Sequence, residues 1–232
     1  MKPYVICHMA TSVDGRISTA GWDLGPEGRA EYERTAATYH AEAWMCGRIT
    51  MAAYARGTAP QAQSIPVTLA KTDFVAPHTE TTYAVAVDPR GKLYWHTNAI
   101  DGDHVVAVLT EQVSDDYLAC LQAQQVSYLF AGTHTLDVAS ALDKLAALFQ
   151  VKTVLLEGGG KLNGAMLRAG LIDELSLLVA PLADGTNGTP TVFDALEQTP
   201  SPVPVHFLLQ AVEQRADGIV WLRYRRSSRE TA

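Results

Sequence analysis

Seven short, continuous apolar runs separated by helical patterns constrain the fold of this chain more than any other feature. Runs of this kind, rich in β-branched and aromatic residues, are typical of strands that helices cover on both faces, as in a mainly parallel sheet. We therefore predict an α/β fold with a mainly parallel central sheet flanked by helices. The runs occupy residues 4–9, 43–46, 83–87, 105–109, 128–130, 153–156 and 175–180.

The segments between the runs carry the spacing of helices. In the clearest case, residues 138–149, the apolar side chains are 4, 3 and 4 residues apart and so share one helix face. Ser114 is a good N-cap for another helix. Helices are predicted over residues 27–40, 114–121, 138–149 and 161–169.

The C-terminal part has a different pattern. Residues 205–214 and 219–225 alternate apolar and polar side chains around Ala216-Asp217-Gly218, which predicts an antiparallel hairpin. No repeat or low-complexity linker divides the chain, so we predict a single domain over residues 1–232.

Composition excludes several classes of function. The formal net charge of −7 argues against a general nucleic-acid binder, which needs a basic face. No apolar run approaches the roughly 20 residues that span a bilayer, and the N-terminus does not have the layout of a signal peptide. The three cysteines form no metal-spaced pair. We therefore expect a cytoplasmic protein with a small-molecule substrate, without nucleic-acid, membrane or metal partners.

A glycine turn follows the sixth apolar run. Glu157 ends the run, Gly158, Gly159 and Gly160 follow, and a helix is predicted to begin near Lys161 and Leu162. Glycine permits positive φ and close approach of a ligand, and a helix N-terminus offers N–H groups to phosphate. The alternative is a tight strand-to-helix turn that binds nothing.

Two further segments follow strands in the same way. Gly47, Arg48 and Thr50 can supply close approach, charge and a hydroxyl to a phosphate, or be no more than a surface arginine and a helix cap. Asp14 lies in Ser12-Val-Asp-Gly-Arg-Ile17, where Asp-Gly can mean only a turn. Each of the two segments directly follows a predicted strand, and ligands of open α/β sheets bind beyond the carboxyl ends of strands.

Taken together, these segments resemble the dihydrofolate-reductase-like superfamily, specifically the pyrimidine reductases of riboflavin biosynthesis. The resemblance covers nearly the whole chain in order, and its most specific block runs from Leu155 to Leu175. The other matching pieces are His8-Met-Ala-Thr-Ser-Val-Asp-Gly-Arg-Ile17, Gly47-Arg-Ile-Thr50, Val85-Ala-Val-Asp88 and Ala180-Pro181.

The resemblance implies a dihydrofolate-reductase-like fold and an NADPH-dependent oxidoreductase that transfers a hydride to a carbonyl or imine. It implies that Glu157 contacts the substrate and that Asp14 lies at the mouth of the pocket, and both are candidate catalytic residues. His8, which replaces a lysine common in the family, is a third candidate, either as a pocket donor or acid or only as a satisfied polar group. Arg48 or Arg90 is implied as the partner of the 2′-phosphate that distinguishes NADPH from NADH. The implied cofactor-binding residues are Thr11, Ser18, Gly47, Arg48, Thr50, Arg90, Gly158, Gly159, Gly160, Lys161 and Leu162.

The substrate is less constrained than the cofactor. Family members carry an Asp-Asp-Pro-x-Leu-x-x-Arg stretch for the substrate phosphate, whereas this chain has Met51-Ala-Ala-Tyr-Ala-Arg-Gly-Thr-Ala-Pro60. Alternatives are therefore a reductase of the same fold that acts on a pterin or another carbonyl or imine, or an inactive nucleotide-binding module. Members of the family often form homodimers, and we expect the C-terminal hairpin and the loop from Pro181 to Pro204 to contribute to such an interface.

Overall fold

The computed structural model describes residues 2–58, 69–195 and 204–227. The stretch at residues 51–60, where the family's phosphate motif is missing, ends outside the described residues. The chain divides into two compact units, one formed by residues 1–3 and 42–154 and the other by residues 4–41 and 155–232. The single domain over residues 1–232 stays a prediction.

Unit 1 is built on a mainly parallel sheet. Strands β2, β3, β5 and β6 pair in parallel in that order, and the short β4 pairs antiparallel with β5. The carboxyl ends of β2 and β3 therefore meet at one edge, where Gly47 lies opposite Val87. The elements of this unit are β2 (Ala43–Gly47), α2 (Arg48–Met51), β3 (Tyr83–Val87), β4 (Ala99–Ile100), β5 (Asp103–Leu109), α3 (Asp115–Ala123), β6 (Ser127–Phe130) and α4 (Val138–Phe149).

The helices of unit 1 begin and end at local signals in the sequence. Ser114 accepts a hydrogen bond from the Tyr117 N–H at 3.2 Å, as its predicted role as N-cap requires. Helix α4 begins after Asp137, whose carboxylate caps two N–H groups, and ends where Gln150 adopts a left-handed conformation. Leu142 and Leu145 of α4 are fully buried, which confirms the predicted apolar face.

Unit 2 contains both parallel and antiparallel pairings. Strand β1 pairs in parallel with β8, with Thr11 opposite Val179, and β10 pairs antiparallel with both β8 and β9. The elements of this unit are β1 (Tyr4–Thr11), α1 (Pro26–Ala37), α5 (Gly160–Arg168), β8 (Glu174–Val179), β9 (Phe207–Gln214) and β10 (Val220–Arg226); β7 (Thr153–Leu156) carries the chain from unit 1 into unit 2.

The predicted α/β class, the mainly parallel strands and the antiparallel C-terminal hairpin are confirmed. Helix α1 ends at Ala37, before the predicted residue 40, because the chain turns at His40 with a φ of +48°. The helix start that the sequence suggests after Gly47 is present as the one-turn helix α2. The two-residue strand β4 was not predicted, since an element of two residues carries no periodicity.

Candidate active site

The glycine turn connects β7 to α5 in unit 2. Gly158 has a φ of +96°, a conformation that side chains with a Cβ rarely adopt, and the Gly158–Gly159 peptide bond is cis. Gly159 occupies the N-cap position of α5, and no side chain caps the helix there. The N–H groups of Gly160 and Lys161 in the first turn are therefore not taken by a capping side chain.

Close packing also requires glycine in this turn. A Cβ on Gly160 would overlap the Thr191 carbonyl oxygen, and a Cβ on Gly158 would lie 3.2 Å from the Met9 methyl group. Lys161 is exposed and Leu162 is buried. An uncapped helix N-terminus preceded by glycines is suited to a phosphate group, which the N–H groups and the helix dipole attract.

A cavity of about 360 Å³ lies in the same unit, near the carboxyl ends of β1 and β8. Its wall is mainly apolar, and its polar groups come from α1 and from the segment after β1. This composition suits a flat organic ring whose edge is bound by a few polar groups. The lining residues are Met9, Ala10, Ile17, Thr19, Trp22, Leu24, Gly28, Arg29, Tyr32, Leu178, Ala180 and Ile219.

Glu157 is a carboxyl group that holds its proton at neutral pH. The pKa of Glu157 is raised to about 8, mainly by burial and also by the nearby Glu33, while a hydrogen bond with Tyr32 lowers it. Tyr32 also lines the cavity. Glu157 is thus linked, through Tyr32, to the wall of the cavity and directly precedes the glycine turn.

His8 is fully buried in β1, and protein groups contact both of its ring nitrogens. Its Nδ1 lies 2.9 Å from Ser176 Oγ, and its Nε2 lies 3.2 Å from the Tyr32 carbonyl oxygen. Because Ser176 Oγ accepts a hydrogen bond from the Trp221 indole N–H at 2.8 Å, its own proton is available to Nδ1. Nε2 then carries the proton that the Tyr32 carbonyl accepts.

This environment favours the neutral imidazole. Burial lowers the pKa of His8 to about 4, so the side chain carries no charge at neutral pH. With both nitrogens in protein hydrogen bonds, the geometry favours a structural role over the candidate catalytic one.

Asp14 is exposed and connects two loops of unit 2. Its carboxylate accepts hydrogen bonds from Ser12 Oγ at 2.6 Å and from the N–H groups of Asp184 and Gly185, both at 2.9 Å. These bonds hold the pKa of Asp14 far below its ordinary value. A carboxylate that stays ionised cannot deliver a proton near neutral pH, so its geometry favours holding the loops. Thr11 is buried at the end of β1, with its hydroxyl bonded to the Ser12 carbonyl, and Ser18 is partly exposed.

The remaining candidates belong to unit 1. Gly47 ends β2 and caps α2, whose residues Arg48 and Thr50 are exposed. Arg90 is exposed three residues after the end of the adjacent strand β3. Within the described part of the chain, neither arginine forms an ion pair. Both guanidinium groups are therefore available to an anion at this edge of the unit 1 sheet.

The sequence did not indicate two residues of this site, Tyr32 and Arg29. Tyr32 donates a hydrogen bond to the His8 carbonyl oxygen at 3.0 Å and lies with its ring centroid 4.5 Å from that of His8. Arg29 lines the cavity one turn before Tyr32. Both lie in a helix with little apolar periodicity, so nothing in the sequence showed which face contacts β1.

Comparison with known proteins places the chain among reductase sequences. A model of the RibD C-terminal domain matches residues 3–221. The chain is 26% identical over 196 residues to 2,5-diamino-6-ribosylamino-4(3H)-pyrimidinone 5′-phosphate reductase of Methanothermobacter thermautotrophicus, covering 84% of this chain and 85% of that protein.

Solved structures share the fold. A pyrimidine reductase-like protein from Corynebacterium diphtheriae aligns with a TM-score of 0.71 at 18% identity, covering 97% of this chain and 92% of that one. RibD of Acinetobacter baumannii aligns with a TM-score of 0.64 at 23% identity, covering 97% of this chain but only 58% of the longer RibD chain. These likenesses confirm the predicted reductase-like fold. In the described ranges, no helix has the length and apolar character that a membrane crossing requires.

Proposed function

The chain belongs to the family of RibD C-terminal domains, and on that premise we propose that it is an NADPH-dependent pyrimidine reductase of riboflavin biosynthesis. The proposed reaction reduces the ribosylamino group of a pyrimidine 5′-phosphate to a ribitylamino group. The observation that carries the proposal is the position of Glu157, which directly precedes the glycine turn and is hydrogen-bonded to Tyr32 of the cavity wall. The 26% identical archaeal relative, named for the same reduction, supports the substrate class.

The glycine turn fits a dinucleotide phosphate, because no side chain caps the N-terminus of the helix that follows it. When bound, the nicotinamide cofactor supplies the hydride. The turn from Gly158 to Gly160 has no side chains of its own, and Lys161 adds a positive charge at the first turn of α5. The apolar cavity excludes water from the reacting carbon and positions the pyrimidine ring.

Reduction of an imine adds a hydride to carbon and requires a proton at nitrogen. Glu157 is the best proton donor in the described part of unit 2, since its raised pKa keeps it protonated while the pKa of Asp14 is lowered. Tyr32 positions the Glu157 carboxyl group through their hydrogen bond. His8, in turn, holds the backbone of Tyr32 through its Nε2.

The candidates of unit 1 form a separate part of the proposal. Gly47, Arg48 and Thr50 follow β2, and Arg90 follows β3 at the same edge. Their exposed donors and charges match an anionic group such as the 2′-phosphate of NADPH. Their role in cofactor binding is tested by the preference for NADPH over NADH.

The test is turnover of the purified chain with NADPH and either the ribosylaminopyrimidine 5′-phosphate or dihydrofolate. We expect oxidation of NADPH with the pyrimidine and at most slow oxidation with dihydrofolate. Preferred turnover of dihydrofolate would contradict the substrate assignment. Tight NADPH binding without turnover of any carbonyl or imine substrate would contradict catalysis.

We also propose a homodimer. The edge strand β9 exposes Leu208, Leu209 and Val212, each with more than half of its surface accessible. An edge strand with three exposed apolar side chains is suited to pairing with a second copy. Measurement of the mass in solution, with Leu209→Lys as the comparison, tests this expectation.

A further inference from the structure

One cation lies among the described residues that line the cavity of unit 2. Arg29 is on the first turns of α1, and its side chain is exposed, whereas Tyr32 on the next turn is partly buried. The rest of the described lining is uncharged. A substrate with an anionic end and a flat ring can therefore place the ring on the apolar wall and the anion on Arg29.

Arg29 is held in place without being neutralised. One of its terminal nitrogens donates to the Leu24 carbonyl oxygen at 2.5 Å, and within the described ranges no carboxylate forms an ion pair with it. Arg34, on the same helix, differs in this respect. Its guanidinium pairs with Glu27 at 2.7 Å and with Glu31 at 3.4 Å.

We propose that Arg29 binds the 5′-phosphate of the substrate and so determines specificity for the phosphorylated pyrimidine. This inference rests on the proposed function and adds the residue that recognises the phosphate. A guanidinium group has five N–H donors, of which the Leu24 carbonyl occupies one, and the others match two phosphate oxygens.

The local backbone contributes to this arrangement. Asp217 accepts a hydrogen bond from the Gly28 N–H at 2.7 Å and so fixes the first turn of α1 that carries Arg29. The Asp217 carboxylate also counteracts the positive charge at this helix terminus, so the arginine itself must supply the attraction for phosphate. Two charge-assisted hydrogen bonds from Arg29 to the phosphate are expected to contribute about 10- to 50-fold in affinity.

The test compares the phosphorylated pyrimidine with its dephosphorylated form in steady-state assays of four proteins. These are the wild type, Arg29→Gln, Arg29→Lys and the matched control Arg34→Gln. Arg29→Gln is expected to raise KM for the phosphorylated substrate about 10- to 50-fold, with kcat and the KM of the dephosphorylated substrate nearly unchanged. Arg29→Lys restores part of the affinity because it keeps the charge but loses the two-point geometry. Arg34→Gln behaves like the wild type.

A second measurement separates this inference from the proposed reaction. Calorimetric titration with ribose 5-phosphate is expected to show binding to the wild type and to Arg34→Gln but not to Arg29→Gln. If that pattern appears while no protein reduces the pyrimidine, the phosphate site stands and the proposed reaction fails. The inference is overturned if Arg29→Gln affects both substrates equally, or if Arg29→Gln and the wild type bind ribose 5-phosphate alike.

Discussion

Replacing Glu157 with glutamine is expected to stabilise the folded protein while it slows the reaction. Folding raises the pKa of this carboxyl group from 4.5 to about 8 because burial penalises its charge. Between these values the folded state holds a proton that the unfolded state has released, so this group's contribution to stability falls as pH rises. At pH 7 the cost is about 1.4 kcal/mol for each of the 2.5 pH units between 4.5 and 7, or about 3.5 kcal/mol. Glutamine keeps the shape and has no proton to lose.

The assay is urea unfolding of the wild type, Glu157→Gln and Glu111→Gln between pH 5 and pH 8. The stability of Glu157→Gln relative to the wild type is expected to grow by about 3 kcal/mol from pH 5 to pH 7.5. Glu111→Gln, which removes an exposed carboxylate, is expected to track the wild type. The lowered pKa of His8 makes the contribution of this residue to stability rise with pH. Because Glu157→Gln and the wild type both contain His8, this effect cancels in the difference between their stabilities. A difference that does not change with pH would refute the assignment of a protonated carboxyl group.

Three other substitutions test separate parts of the account. His8→Leu removes a buried, fully hydrogen-bonded ring and is expected to cost about 1–3 kcal/mol of stability by urea unfolding. Loss of proton transfer with stability unchanged would instead make His8 the acid. Gly160→Ala forces a Cβ into backbone and is expected to cost about 1–3 kcal/mol and weaken cofactor binding by fluorescence titration. If Gly160→Ala binds the cofactor as tightly as the wild type does, a close approach of the cofactor to the backbone of this turn is ruled out. Arg48→Gln or Arg90→Gln is expected to reduce NADPH affinity about tenfold and leave NADH affinity unchanged; equal loss for both cofactors would exclude contact with the 2′-phosphate.

The strands and helices could be predicted because their signals are local. The apolar face of α4 and the Ser114 cap each depend on residues within a few positions of one another. The glycine turn was found for the same reason, since Gly158, Gly159 and Gly160 follow a strand directly. The strand β4 was missed because two residues are too few to carry a pattern.

The roles of the site residues depend on contacts between distant parts of the chain. The Asp14 carboxylate accepts hydrogen bonds from the N–H groups of Asp184 and Gly185, which lie about 170 positions away in the sequence. Its fixed negative charge could therefore not be deduced from the Asp-Gly pair. His8 was a candidate acid in the sequence, yet Ser176 and the Tyr32 carbonyl occupy its nitrogens in the fold. The sequence resemblance identified Glu157, but its raised pKa comes from burial, which only the three-dimensional structure determines.

The most direct test of the proposed function follows the hydride itself. The chain is incubated with NADPH that carries deuterium on the reactive face of C4 and with the ribosylaminopyrimidine 5′-phosphate, and the product is analysed by mass spectrometry. We predict one deuterium on the sugar carbon that is bonded to nitrogen in the product. We also predict that hydride transfer by the wild type slows above pH 8, because Glu157 then loses its proton. A pyrimidine product without deuterium, or no reduced pyrimidine with either face of the cofactor labelled, would contradict the proposed function.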